Sequence, residues 1–383
     1  MKRRYLLAWA AASLITGAVL HPQGARAEDT VSLPCVCELS GAGAVSGKNY
    51  RDGAYMAVEE INAGGGILGK KIVMDDYDTQ SDAPTSRAAL VQKAIDADAY
   101  AIIGTVYSGS TIVNMLVAKQ NGVPQFTGSE APNITQQGNP YIFRTSSSAA
   151  KGVPGLTPYF KDTLKAKKIG VAWVNNEFGK GGHDVFNGEM KKAGIDIVAD
   201  VPSEQGQADF AADVSKIKES GAEAVFVYLN EEEAARFLKE AKKQGLKVPL
   251  VGEVTLTSQK VIDLAGDAAD GAYAHVGVTA GADVPAIQAF GEKFKQKYNR
   301  ATDHNGLKGY VAVYAVKYVS EMNGSLDREA LAKKLHGLTL DVAKYPGMLL
   351  TTTWDDTGEM SRESFMTQVV DGKQKVVGTV PAN

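Results

Sequence analysis

Five short segments of this 383-residue chain carry residue types able to bind or transform a small molecule. Thr105-Val106-Tyr107-Ser108-Gly109-Ser110-Thr111 follows an apolar run, Ala101–Ile103, and opens a helix. Hydroxyls and unpaired N–H groups at a helix N-terminus suit a carboxylate. The same residues serve equally as plain helix caps, and both readings stand at this point. Glu130, in Gly128-Ser129-Glu130-Ala131-Pro132, and Glu253, in Val251-Gly252-Glu253-Val254-Thr255, also follow apolar runs. A lone carboxylate there either meets a ligand ammonium or stays a solvated surface group. Glu231-Glu232-Glu233 opens another helix, where acids complement the dipole. Finally, Gly41, Gly43 and Gly47 form G-x-G-x-x-x-G, one residue off the dinucleotide fingerprint, with Asp75-Asp76 ending the next strand. A tight strand-to-helix turn is the simpler reading of that loop.

Other chemistries are excluded more firmly. No G-x-S-x-G elbow, H-E-x-x-H pair or P-loop occurs, so no catalytic residues are assigned and no enzyme is expected. Five histidines, no two within one helical turn, and two cysteines make no metal centre, and no cofactor is expected. Cys35 and Cys37 point to the same face of a strand. Their spacing is poor for a mutual disulfide, so packing is the expected role. Lys+Arg at 41 against Asp+Glu at 44 gives no footprint for nucleic acid.

The elements that must position these residues alternate. Strands are expected at Val31–Leu39, Lys71–Asp76, Ala101–Ile103, Lys168–Val174, Asp196–Val201, Ala224–Leu229, Val248–Val251 and Gly271–Val278. Helices are expected at 50–62, 85–96, 111–120, 183–193, 210–220, 232–244, 288–298 and 310–322. Such alternation implies βαβ units and parallel sheets, and the length suits two domains. The fold class is α/β, with two doubly wound lobes. Open parallel sheets bind ligands beyond the carboxyl ends of their strands. That nominates seven loops: 40–46, 79–82, 105–110, 128–131, 175–178, 229–231 and 252–255.

The first 27 residues read as an export leader. Lys2, Arg3 and Arg4 precede an uncharged apolar stretch, Tyr5–Leu20, and Ala25-Arg26-Ala27 fits a small-x-small cleavage site. Sixteen apolar residues are short for a membrane span of about 20. Cleavage after Ala27 removes four basic residues and no acid, taking the net charge from −3 to −7. An exported protein is expected.

Several motifs together resemble one family. Leu39-Ser40-Gly41 is followed by Gly53-Ala54-Tyr55-Met56-Ala57-Val58-Glu59-Glu60-Ile61-Asn62-Ala63-Gly64-Gly65-Gly66-Ile67-Leu68-Gly69-Lys70. Further along come Ile103-Gly104, Tyr107 to Thr111, Gly122-Val123-Pro124, Tyr141-Ile142-Phe143-Arg144-Thr145, Ala208-Asp209-Phe210, Ala265 to Gly271, Asp356-Thr357-Gly358 and Asp371-Gly372-Lys373. In this order they resemble the leucine/isoleucine/valine-binding family, the type I periplasmic solute-binding proteins of branched-chain amino acid ABC transporters. The resemblance implies two Rossmann-like lobes joined by three hinge crossings, with the ligand cleft between them. Lobe one would be 28–147 plus 278–353, and lobe two 148–277 plus 354–383. It implies a ligand carboxylate at Ser108 and a second contact at Ser129 and Glu130, where the family's threonine is replaced by glutamate. Phe178 and Asn230 or Glu231 take the places of two family tyrosines, and Glu253 that of the acidic ammonium partner. Tyr107 stands beside Ser108 as an aromatic wall. The implied function is the binding component of an ABC importer for an amino acid or other amino-bearing solute, delivered to an inner-membrane permease by a monomeric protein. The alternatives are the same transport role for an aromatic or aliphatic carboxylate, amide or urea-type ligand, and a sensory receptor on the same fold.

Overall fold

Pro34 has no N–H to give a sheet, and it divides the strand expected over 31–39 into Thr30–Ser32 and Cys35–Cys37. The computed structural model describes residues 30–81 and 84–382, so the expected leader lies outside it. Thr30–Ser32 pairs in parallel with Lys71–Val73. Cys35–Cys37 joins a parallel five-stranded sheet, in the order Asp76–Asp78, Cys35–Cys37, Ile102–Ile103, Gln125–Thr127, Ile142–Arg144. A second, seven-stranded sheet has the order Asp196–Ser203, Lys168–Val174, Ala224–Tyr228, Leu250–Gly252, Tyr273–Val276, Ser364–Val370, Lys373–Val380. Its last two strands run antiparallel. The outermost, Lys373–Val380, alternates exposed and half-buried residues, as a sheet margin does, while Ser364–Val370 beside it is mostly buried. In both sheets the chain's second strand lies outside its first, and later strands add on the other side.

Cys35 and Cys37 form a disulfide, contrary to the packing role expected for them. Their Cα atoms are 5.7 Å apart, within the range a bridge accepts, because both side chains leave the same buried face of a short strand.

Each sheet has its own core. Tyr50, Phe126, Phe143, Phe294 and Trp354 belong to the first. Phe160, Phe186, Phe226 and Tyr228 belong to the second. Helix Ala44–Ala63 lies against helix His304–Asn323 at close range. A Cβ on Gly53 would sit 1.9 Å from the Gly306 carbonyl oxygen, so only glycine lets the two backbones meet there. The second helix begins at His304, ahead of the expected Tyr310, with Asp303 capping the N–H groups of Asn305 and Gly306.

The chain passes between the sheets after Arg144, after Val276, and between Ser361 and Ser364. The third passage falls later than the expected Thr353. Thr352–Trp354 pairs with Thr339–Leu340 and Met360–Ser361, and the Trp354 indole N–H donates to the Arg144 carbonyl at 2.8 Å. That buried indole holds the segment beside the first sheet. Among the described residues no helix is long and apolar enough to cross a membrane.

Candidate ligand-binding cleft

A parallel sheet opens a crevice where its chain order reverses. The reversals lie between Cys35–Cys37 and Ile102–Ile103 in one sheet, and between Lys168–Val174 and Ala224–Tyr228 in the other. The loops leaving these strands surround a cavity of about 380 Å³. Each of the seven nominated loops contributes a lining residue.

On the first wall, Glu38 accepts the N–H groups of Val106 at 3.1 Å and Tyr107 at 3.3 Å, which fixes the path of that loop. Helix Ser108–Gln120 starts here, and its first backbone bond is Thr111 N–H to the Tyr107 carbonyl. The N–H groups of Ser108, Gly109 and Ser110 precede that bond and have no partner within the helix. All three residues line the cavity. The Ser108 hydroxyl accepts from Ala131 N–H at 3.2 Å, so its own proton remains to be donated.

Glu130 is also on this wall, ion-paired with Lys308 at 2.7 Å. Its loop is held from behind by buried Arg144. That guanidinium donates to the carbonyls of Ser129 and Ala131 and pairs with Glu359 at 2.8 Å. Ser129 does not reach the cavity. Its hydroxyl donates to the Val106 carbonyl at 2.8 Å and meets Thr111 at 2.6 Å, tying two site loops together.

On the opposite wall, the Asn176 side chain caps helix Glu177–Ala193 by accepting from Gly179 N–H. Phe178 stacks on Tyr228 with ring centres 4.3 Å apart. Asn230 precedes helix Glu231–Lys243, and Glu231 accepts from the Ser46 hydroxyl at 2.8 Å across the cleft. Among the described residues Glu231 has no cation within ion-pair distance. Its charge adds to burial in pushing the Tyr107 phenol well up. Burial, and then Lys308, drives the His304 imidazole well below its usual range, leaving it neutral at physiological pH.

Of the residues expected at the site, Tyr107, Ser108, Glu130, Phe178, Asn230 and Glu231 come together around the cavity. Glu253 does not line it. Its carboxylate bonds to His275 Nδ1 at 3.0 Å, and the next residues, Val254 and Thr255, form the wall instead. Sequence reasoning missed Gln205, His304, Asn305 and Lys308. Lys308 left one signal: it is the single cation in the otherwise uncharged, buried stretch from His304 to Val316. Among the described residues no His, Cys, Asp and Glu cluster could hold a metal.

The sequence profile of the family described as "periplasmic binding protein" matches residues 30–374. The leucine-, isoleucine-, valine-, threonine-, and alanine-binding protein of Pseudomonas aeruginosa is 28% identical over 316 residues, covering 82% of this chain and 84% of that protein. Among solved structures, the branched-chain amino acid transporter substrate-binding protein LivJ of Streptococcus pneumoniae, in complex with isoleucine, superposes with a TM-score of 0.82 at 25% identity. The match covers 91% of this chain and 99% of that one. A solute-binding protein of an ABC transporter from R. palustris, in complex with benzoate, superposes with a TM-score of 0.83 at 20% identity, covering 92% and 97%.

Proposed function

The chain belongs to the periplasmic binding protein family, and from that premise we propose that it is the substrate-binding component of an ABC importer, closing on an amino acid or another small solute that bears an ammonium group. The observation that carries this reading is Glu231, a carboxylate with no cation partner among the described residues, facing the hydroxyl and N–H donors of Ser108–Ser110. One end supplies donors for a carboxylate and the other an acceptor for an ammonium, which is the pattern of a zwitterion. Tyr107 and Phe178 give the cavity its aromatic sides, and Asn230 a polar one. Ser129 acts as a support for the Glu130 loop. Relatives named for amino acids favour the same class of ligand. The lobes of this trap are residues 30–146 with 278–361, and 147–277 with 362–382. The leader is removed after Ala27, and ligand passes to a membrane permease.

A second reading is a carboxylate without an amine, favoured by Lys308, whose ammonium lies on the cavity wall. A thermal-shift screen of the exported protein against amino acids, aliphatic and aromatic carboxylates and small amides separates the two. Bound ligand raises Tm by mass action. A rise with an amino acid is the expected result. A rise only with amine-free carboxylates would transfer the assignment to Lys308.

A further inference from the structure

A second cavity, of about 20 Å³, lies away from the cleft, where the chain passes between the sheets. That is room for about one water-sized particle. All three passages contribute to its wall: Ser147 from the first, Gly277 from the second, Arg362 and Ser364 from the third, joined by Lys151. The passages are tightly packed here. A Cβ on Gly277 would lie 2.7 Å from that of Ser147.

Among the described residues the cations at this cavity have no counter-charge in contact. Arg362 is 6% exposed. Its Nε donates to the Gly277 carbonyl at 3.2 Å and its Nη2 to the Thr145 carbonyl at 3.5 Å, both neutral acceptors. Lys151 is half-buried. Among the described residues neither cation has a carboxylate within ion-pair distance. The other deeply buried guanidinium, Arg144, pairs with Glu359, which is how such a charge is ordinarily tolerated. Burial without a counter-charge brings Arg362 down to about 10, so it remains a cation at neutral pH.

Ser364 links the cavity wall to a buried pair. Glu253 bonds to His275 Nδ1, and His275 Nε2 meets the Ser364 hydroxyl at 2.8 Å. In the protonated imidazole that Glu253 favours, Nδ1 donates to Glu253 and Nε2 also donates, so the Ser364 proton turns toward the cavity. Two cations and two hydroxyls then converge on a space of atomic size.

We propose that this cavity is an anion site for a single halide-sized ion, chloride being the natural occupant, held by Arg362 and Lys151 with the hydroxyls of Ser147 and Ser364. Because all three passages form its wall, the ion braces them against one another. The site is distinct from the ligand cleft in place, sharing none of its lining residues.

Two measurements test this on the purified exported protein. Crystals grown in sodium bromide should show an anomalous difference peak in the cavity, within contact distance of the Arg362 guanidinium. In solution, sodium chloride should raise Tm saturably over sodium gluconate of equal ionic strength, by about 2 °C or more. Lys151→Met, at a half-exposed position, should fold and lose that chloride-specific rise. A featureless anomalous map with a water in the cavity overturns the proposal, as do equal Tm values in the two salts. A chloride-specific rise that Lys151→Met leaves intact also overturns it, since the ion would then bind elsewhere.

Discussion

The Ser108 hydroxyl already accepts from Ala131, so its proton is the part left for a ligand. Ser108→Ala should cost about 1.5–3 kcal/mol of binding free energy, the range for a hydrogen bond to a charged group. Isothermal titration reads this directly, and unchanged affinity would remove Ser108 from the site. Glu231→Gln should weaken ammonium-bearing ligands by at least about tenfold and spare amine-free carboxylates. An equal loss for both classes would make Glu231 a spacer. His304 supplies a pH dependence whose sign follows from its burial. Its folded imidazole resists protonation, so the unfolded chain binds the extra proton, and stability is lost as pH falls below about 6.5. His275 works in the opposite sense. Burial disfavours its cation, but Glu253 outweighs this and raises it, so its contribution is complete below about 6.5 and fades as pH rises through the folded value. Urea unfolding of His304→Gln between pH 7 and 5 should therefore show a smaller loss than the unsubstituted protein. Equal losses would mean that His304 charges freely in the fold.

At the scale of elements, the strand Cys35–Cys37 deserves a perturbation of its own, because it leads straight into Glu38 and through it to the Val106 and Tyr107 N–H groups. Replacing both cysteines by serine should cost about 1–2 kcal/mol, the entropy of so short a closed loop, and should weaken ligand as well as lower Tm. A lower Tm at full affinity would mean that Glu38 holds its loop without help from the bridge. The rule that ligands sit beyond strand ends was enough to find the seven loops, because apolar runs such as Lys168–Val174 announce their own limits. It could not find His304 and Lys308. Their helix opens with His304-Asn305-Gly306, which carries no apolar period; this first turn precedes the apolar face that begins at Leu307 and meets helix Ala44–Ala63 at the Gly53–Gly306 contact. Glu253 failed for a different reason. A short strand fixes its side-chain alternation only in contact with neighbours, and here His275 claims the carboxylate. The disulfide was hidden similarly, since the separation of two strand residues depends on local pleat.

At the scale of the whole molecule, the two walls of the cleft touch. Ser46 bonds to Glu231, and the Asn133 side-chain amide donates to Glu177 at 3.1 Å, so both contacts join the two sheets' lobes across the opening. The first is buried and the second exposed, and each has a carboxylate as acceptor, so each contributes at most about 1.5–3 kcal/mol to holding the lobes together. A third contact is steric. A Cβ on Gly181, in helix Glu177–Ala193, would stand 2.6 Å from Cδ of Pro132 in the facing loop. The proline ring cannot swing aside as a flexible chain end would. Gly181→Leu should therefore prop the lobes apart while leaving each lobe's own packing intact. Leucine is also the better helix former, so the ligand-free protein should melt no lower than before. Its affinity for the amino acid found in the screen should fall at least about tenfold, about 1.4 kcal/mol. Small-angle scattering should show the unsubstituted protein contracting on ligand addition and the variant staying extended. Full affinity in Gly181→Leu would mean that ligand is captured without this approach of Gly181 to Pro132, and that closure does not shape the site.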